Sequence, residues 1–160
     1  MRPASVSEVR DVQRRVLRPD GPLPGDTEHP ADWRHVAAEV DGRVVGACSI
    51  GPAPWEHDEV ASLAAPTWQL RSMAVLPDFR GGVGARLLEK AVTTARDAGA
   101  GSLWANARVV AVNLYLRSGW RVVGQPWDKP GIGPHRYLVR DLAGADHARP
   151  FQESTGVDLY

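Results

Sequence analysis

The segment Arg80-Gly81-Gly82-Val83-Gly84 sets three glycines in four positions between an alternating apolar run and the start of an amphipathic one. With no side chains over them, the backbone N–H groups of such a turn converge on one spot, and anions bind there. The helix macrodipole adds ~0.3–1 kcal/mol at such a site, whereas each hydrogen bond to a charged group contributes ~1.5–3 kcal/mol, so the amides matter more than the dipole. Arg80 adds a positive charge beside them. Two nucleotide motifs fail on their own residues. A dinucleotide fingerprint needs a third glycine where Leu87 stands, and a P-loop needs Gly-Lys-Ser/Thr where Gly84 is followed by Ala85-Arg86.

Other reactive side chains are few. Cys48 lies in an apolar run with no histidine beside it in sequence, so it reads as a small core residue rather than a nucleophile. No histidine, cysteine or carboxylate spacing fits a metal site. His135, His35 and the triplet Glu56-His57-Asp58 are the groups that offer proton transfer.

The elements that must position these groups follow from pattern. Ser5 and Glu8 fit a capping box ahead of Val9, Val12 and Val16, which predicts a helix over 6–16. Residues 18–30 hold four prolines and two glycines and read as a long loop of the kind that is often functional. Residues 33–40 and 43–50 form a hairpin about Asp41-Gly42. Residues 68–75 make a further strand that Pro77 ends. Leu87, Leu88, Ala91, Val92 and Ala95 mark one face of a helix that stops near Gly99. A strand over 101–106, a short helix over 110–117, and strands over 120–123 and 135–140 complete a mixed α/β order. Residues from 143 onward show no clear element and read as a tail, loosely ordered or docked on a neighbour.

Length and composition bound the rest. The 160 residues are 43% hydrophobic and 24% charged, enough for one domain with a real core. Lys+Arg and Asp+Glu both number 19, and no basic stripe offers a track for nucleic acid. A lone cysteine, and no apolar run suggesting a signal peptide or membrane span, give a cytoplasmic protein with no membrane partner as the expectation. Lys90 and Lys129 are the only lysines, read as the coding bias of a GC-rich bacterium. Most of the six tryptophans belong in the core, while Trp55 and Trp127, flanked by prolines, are candidates to line an acceptor pocket.

The stretch Met73-Ala74-Val75-Leu76-Pro77-Asp78-Phe79-Arg80-Gly81-Gly82-Val83-Gly84-Ala85-Arg86-Leu87-Leu88 closely resembles the acetyl-CoA motif of the GCN5-related N-acetyltransferase (GNAT) family. Asn113-Leu114-Tyr115-Leu116-Arg117-Ser118-Gly119-Trp120 resembles that family's second signature, a short tyrosine-bearing helix followed by glycine and an aromatic. The resemblance covers 1–142. In the turn the family pattern Arg/Gln-x-x-Gly-x-Gly/Ala leaves Arg80 one residue short, which bears on which amide meets which phosphate oxygen.

The resemblance implies one GNAT domain over 1–142, with a central mixed, mostly antiparallel sheet of six to seven strands and about four helices, and a tail over 143–160. It implies acetyl-CoA as co-substrate, with no metal. Its pantetheine arm would pair with the strand edge at Met73, Ala74 and Val75. Its pyrophosphate would lie on Arg80, Gly81, Gly82, Val83, Gly84 and Ala85, with Asn113 on the cofactor arm and Arg117 near the adenosine end. Tyr115 takes the role of acid for the departing thiolate. A lysine-like amine of pKa ~10.4 costs ~4–5 kcal/mol to deprotonate at neutral pH, so a base is expected. Gln69 and Arg71 stand where a carboxylate would serve. His135, whose pairing with Pro134 resembles a subgroup with small-molecule acceptors that includes amino-sugar acetyltransferases, is the candidate base or acceptor ligand. The expected activity is acetyl transfer to a primary amine of a small molecule. A protein acceptor, a catalytically silent acyl-CoA sensor and a nucleotide-binding protein are the alternatives, and the acceptor-facing loops are 18–30, 51–66 and 125–134. A homodimer accords with family habit.

Overall fold

The computed structural model describes residues 1–17 and 32–142, so the expected loop over 18–30 and the tail over 143–160 lie outside the described residues. Strand β1 (Arg2–Ala4) leads to helix α1 (Val6–Leu17), then β2 (Arg34–Val40), β3 (Arg43–Pro52) and β4 (Thr67–Val75). A 3-10 turn over Pro77–Phe79 precedes α2 (Val83–Asp97) and β5 (Ser102–Arg108). A second 3-10 turn, Val109–Ala111, precedes α3 (Val112–Arg117), β6 (Arg121–Lys129) and β7 (Gly133–Asp141). The seven strands form one sheet in the order β1-β2-β3-β4-β5-β7-β6. Every neighbouring pair is antiparallel except β4 with β5. Parallel neighbours need a crossover, and α2 supplies it. Among the described residues there are three α-helices beside the about four that the sequence suggests, with the two 3-10 turns in addition.

Local rules account for the boundaries. The Glu8 N–H donates to Ser5 Oγ at 3.3 Å and the Ser5 N–H to Glu8 Oε2 at 3.4 Å, a reciprocal cap at the start of α1. Arg2 ties this cap to the sheet by pairing with Glu8 and Glu39 at 2.9 Å each. Asp41 and Gly42 take φ of 51° and 77°, as a two-residue hairpin requires. Val9 and Val12 of α1 and Leu87, Leu88, Ala91, Val92 and Ala95 of α2 are buried in the main core.

The expected acceptor loop over 125–134 is corrected by the sheet. Strand β6 runs to Lys129 with an irregularity between Val123 and Trp127, and β7 starts at Gly133. Gly124 and Pro126 break the alternating pattern, so the sequence shows a strand that ends early, whereas pairing resumes at Trp127 opposite His135. The connection over 53–66 folds onto the sheet instead of standing free. Trp55 anchors it in a second cluster with Trp104, Val123 and Val139, and its indole N–H donates to Ala61 O at 2.8 Å.

Gly51 marks a close approach. A Cβ there would lie 2.3 Å from the buried Trp33 ring. Gly51→Ala should therefore destabilise the fold by ~1–3 kcal/mol. The urea midpoint should fall at constant slope, and an unchanged midpoint would show that the ring yields without cost.

Candidate active site

Between the pairs Ala47↔Ala74 and Ser49↔Arg71, β4 advances three residues while β3 advances two, so β4 carries one extra residue. Ser72 takes it up with φ of 56°, an uncommon value for a side chain other than glycine. The bulge is held from α1. Gln13, 3% exposed, donates from Nε2 to Ser72 O at 3.1 Å and to Ser49 Oγ at 3.2 Å. His35 Nδ1 lies 2.8 Å from the same hydroxyl. Its pKa is lowered, first by burial and then by the charge of Arg10. The sequence did carry a signal for Gln13, a polar residue beside Val9, Val12 and Val16 on the apolar face of a helix, but its partner lies 59 residues away.

Past the bulge the sheet opens. Strands β4 and β5 pair only from Thr67↔Ser102 to Leu70↔Ala105, although β4 continues to Val75 and β5 to Arg108. The last three residues of β5 pair on their other side with β7, as Asn106↔Tyr137, Ala107↔Arg136 and Arg108↔His135. The β4 edge over 71–75 is thus unpaired on the β5 side. Here lies a cleft of about 280 Å³ lined by Gln69, Arg71, Ser72, Met73, Asn106, Arg108, Leu114, Tyr115, Lys129 and His135 among others. That is the lower end of small-ligand sites.

Tyr115 reaches the cleft from α3, 3% exposed, with Trp120 edge-on at 5.1 Å. Burial, helped by nearby Cys48, raises its hydroxyl well above the usual phenol range, so it stays protonated and able to donate. Burial also pushes the Cys48 thiol up to about 12, which removes the thiolate a covalent intermediate would need.

His135 enters from β7, 5% exposed, with Trp127 stacked at 5.1 Å. Its Nδ1 lies 2.8 Å from Gly133 O. A carbonyl only accepts, so Nδ1 carries hydrogen and in the neutral ring the lone pair is on Nε2. The other candidate histidines sit elsewhere. His35 belongs to the buried network under the bulge, and His57 lies 3.3 Å from the Tyr137 hydroxyl in the second aromatic cluster, with Glu56 and Asp58 exposed beside it. Trp55 is core and Trp127 backs His135, so neither forms the cleft wall.

The glycine turn begins α2. Gly82, with φ of 106°, precedes the helix, and no side chain caps it. The Arg86 N–H makes the first helical bond, to Gly82 O at 3.2 Å. The amides of Val83, Gly84 and Ala85 thus precede the ladder. Gly84 lets α3 approach closely, since a Cβ there would lie 3.0 Å from Leu114. Arg80 donates from Nε to Val75 O at 3.2 Å, bridging the shortened turn to the end of β4. Met73 lines the cleft, while Ala74 and Val75 are buried in the core. Asn113 is exposed on α3 outside the cleft wall, and Arg117 lines a separate groove with Arg86 and Glu89 of α2.

The sequence model of the acetyltransferase (GNAT) family matches residues 5–120. This chain belongs to the GNAT family. A curated relative in Bacillus subtilis (strain 168), the uncharacterized N-acetyltransferase YitI, is 28% identical over 142 residues, spanning 86% of this chain and 93% of YitI. The crystal structure of Escherichia coli ElaA superposes with a TM-score of 0.65 at 21% identity, over 86% of this chain and 93% of ElaA. A GNAT family acetyltransferase from Elizabethkingia anophelis with acetyl-CoA bound gives a TM-score of 0.64 at 16% identity, over 88% and 96% of the two chains. This GNAT protein is an acyltransferase with the family's fold. Among the described residues there is no metal-binding cluster and no helix long and apolar enough to cross a membrane.

Two outcomes test the geometry of this GNAT site. Gln13→Leu removes the donor to the Ser72 carbonyl and leaves the Ser49 hydroxyl with His35 alone, and should cost ~1–3 kcal/mol in a denaturant melt, with no loss expected if the bulge holds itself. His35 has a lowered pKa in the folded state, so the unfolded chain binds the proton more readily. Stability should be fully present above the ordinary histidine range and fall as pH drops through about 6.5. His35→Gln should flatten that slope between about pH 8 and 5, and an unaltered slope would contradict the assignment.

Proposed function

We propose that this GNAT protein moves an acetyl group from acetyl-CoA directly to a primary amine of a small molecule. The observation that carries the reading is that Tyr115 and His135, from α3 and β7, line one cleft at the point where β4 leaves β5. The residues present also fit the co-substrate. An unpaired strand edge over 71–75 suits an extended ligand with its own amides, and the uncapped first turn of α2 suits a pyrophosphate. The Elizabethkingia protein of this fold carries acetyl-CoA. When bound, acetyl-CoA supplies the acyl thioester.

The chain's own groups then divide the work. The backbone of Met73, Ala74 and Val75 would hold the pantetheine arm, and the turn from Arg80 to Ala85 the phosphates. Asn113 would reach the arm from α3, and Arg117 the adenosine end. The lone pair on His135 Nε2 accepts the proton that an amine must lose to attack, and the Tyr115 hydroxyl holds a proton for the departing thiolate. Cys48, buried and protonated, leaves direct transfer as the route.

Free thiol released from acetyl-CoA in the presence of a panel of amines measures the reaction. Saturable acetyl-CoA binding with no amine-stimulated release from any acceptor would instead mark a sensor. Tyr115→Phe should lower kcat by about 100-fold while KM for acetyl-CoA moves by less than about threefold, and near-normal turnover would sink the assignment. Cys48→Ala should keep turnover within about threefold of the parent, whereas its abolition would point to a covalent acetyl-enzyme.

A further inference from the structure

The charge of the cleft bears on the acceptor. The whole chain is balanced, with 19 basic and 19 acidic side chains, yet the charged residues lining the cleft are Arg71, Arg108 and Lys129, with no carboxylate among the described lining residues. We infer that the acceptor is a small amine that carries a carboxylate a few bonds from its nitrogen, and that Arg108 holds that carboxylate beside His135. The inference rests on the acetyl-transfer reading of the same cleft.

Arg108 ends β5 directly opposite His135 on β7, and residues so paired have Cβ atoms about 4.5–5.5 Å apart. It is half-buried, and among the described residues it makes one hydrogen bond, from Nη2 to Leu17 O at the long distance of 3.5 Å. A guanidinium offers five donors in a planar fork that matches a carboxylate, so most of its capacity remains for a ligand. Arg71 lines the cleft from the facing strand. Its Nε donates to Gln69 Oε1 at 2.9 Å and its guanidinium lies 5.1 Å from the Trp33 ring, which fixes its place at the cleft. The Arg108 guanidinium attracts an acidic substrate and disfavours one with several ammonium groups. With the base and the anchor on neighbouring positions, the amine and the carboxylate they serve must also be near each other, as in a simple amino acid.

The test compares amino acids with their methyl esters and with the matching decarboxylated amines, using thiol release by the intact protein. The expected result is at least a tenfold preference in kcat/KM for the acid over both, together with loss of that gap in Arg108→Gln. Equal or better turnover of the ester or the plain amine by the parent protein, a comparison that needs no variant to fold, would overturn the inference and leave acetyl transfer standing. If no amine releases thiol, the acetyl-transfer reading fails instead, and tryptophan fluorescence then decides the anion site. Saturable quenching by the acid but not by its ester supports it, and no difference between them overturns it.

Discussion

Near the middle of the sheet, the Gln13 side chain donates to the Ser72 carbonyl, and this contact secures a conformation that the local chain does not favour. A residue other than glycine at positive φ costs about 1–2 kcal/mol, so Ser72 keeps its place because the surroundings hold it there. Where β4 carries an extra residue, it stays paired with β3 in a shifted register but parts from β5 after Leu70. The unpaired edge, the cleft and the approach of Tyr115 and His135 to a common space all lie beyond that separation. Gln13 is hydrogen-bonded to neither Tyr115 nor His135, yet the buried network it shares with Ser49 and His35 supports the strand that borders their cleft.

The two ends of the sheet are stabilised in different ways. On the two faces of β2 to β4, α1 and α2 contribute aliphatic side chains to the larger core. Over the face of β5, β7 and β6 that carries Trp104, Val139 and Val123, a loop and not an α-helix supplies the cover among the described residues. The connection over 53–66 does so through Trp55, which meets Trp104 at 5.3 Å and Tyr137 at 5.2 Å with its ring nearly perpendicular to both. Edge-to-face packing of this kind favours fixed positions over sliding ones. It anchors β7, the strand that carries His135.

Much of this was legible in the residues because the signals were local. The capping box at Ser5 and Glu8, the Asp41-Gly42 turn, the apolar face of α2 and the glycine turn each rest on neighbours a few positions apart. The tyrosine on α3 was legible for the same reason, within a short helix closed by Ser118-Gly119. What escaped depends on distance or on broken patterns. Gln13 bonds Ser72 across the fold, and the separation of β4 from β5 is a property of register that neither strand shows alone. The second half of β6 was hidden by Gly124 and Pro126, which interrupt alternation without ending the strand. The placement of His135 in the cleft and of His35 and His57 outside it required the sheet order, which runs from β5 to β7 before β6.

In the proposed reaction, the unpaired edge of β4 seats the co-substrate and the start of α2 cradles its phosphates. A crystal structure with CoA tests this most directly. It should show the pantetheine amides hydrogen-bonded to the backbone over 71–75, the pyrophosphate on the amides of Gly82 to Ala85, and the sulfur beside Tyr115. A structure in which CoA lies elsewhere, or in which β4 and β5 close together beyond Leu70 and Ala105 so that no edge remains, would contradict it.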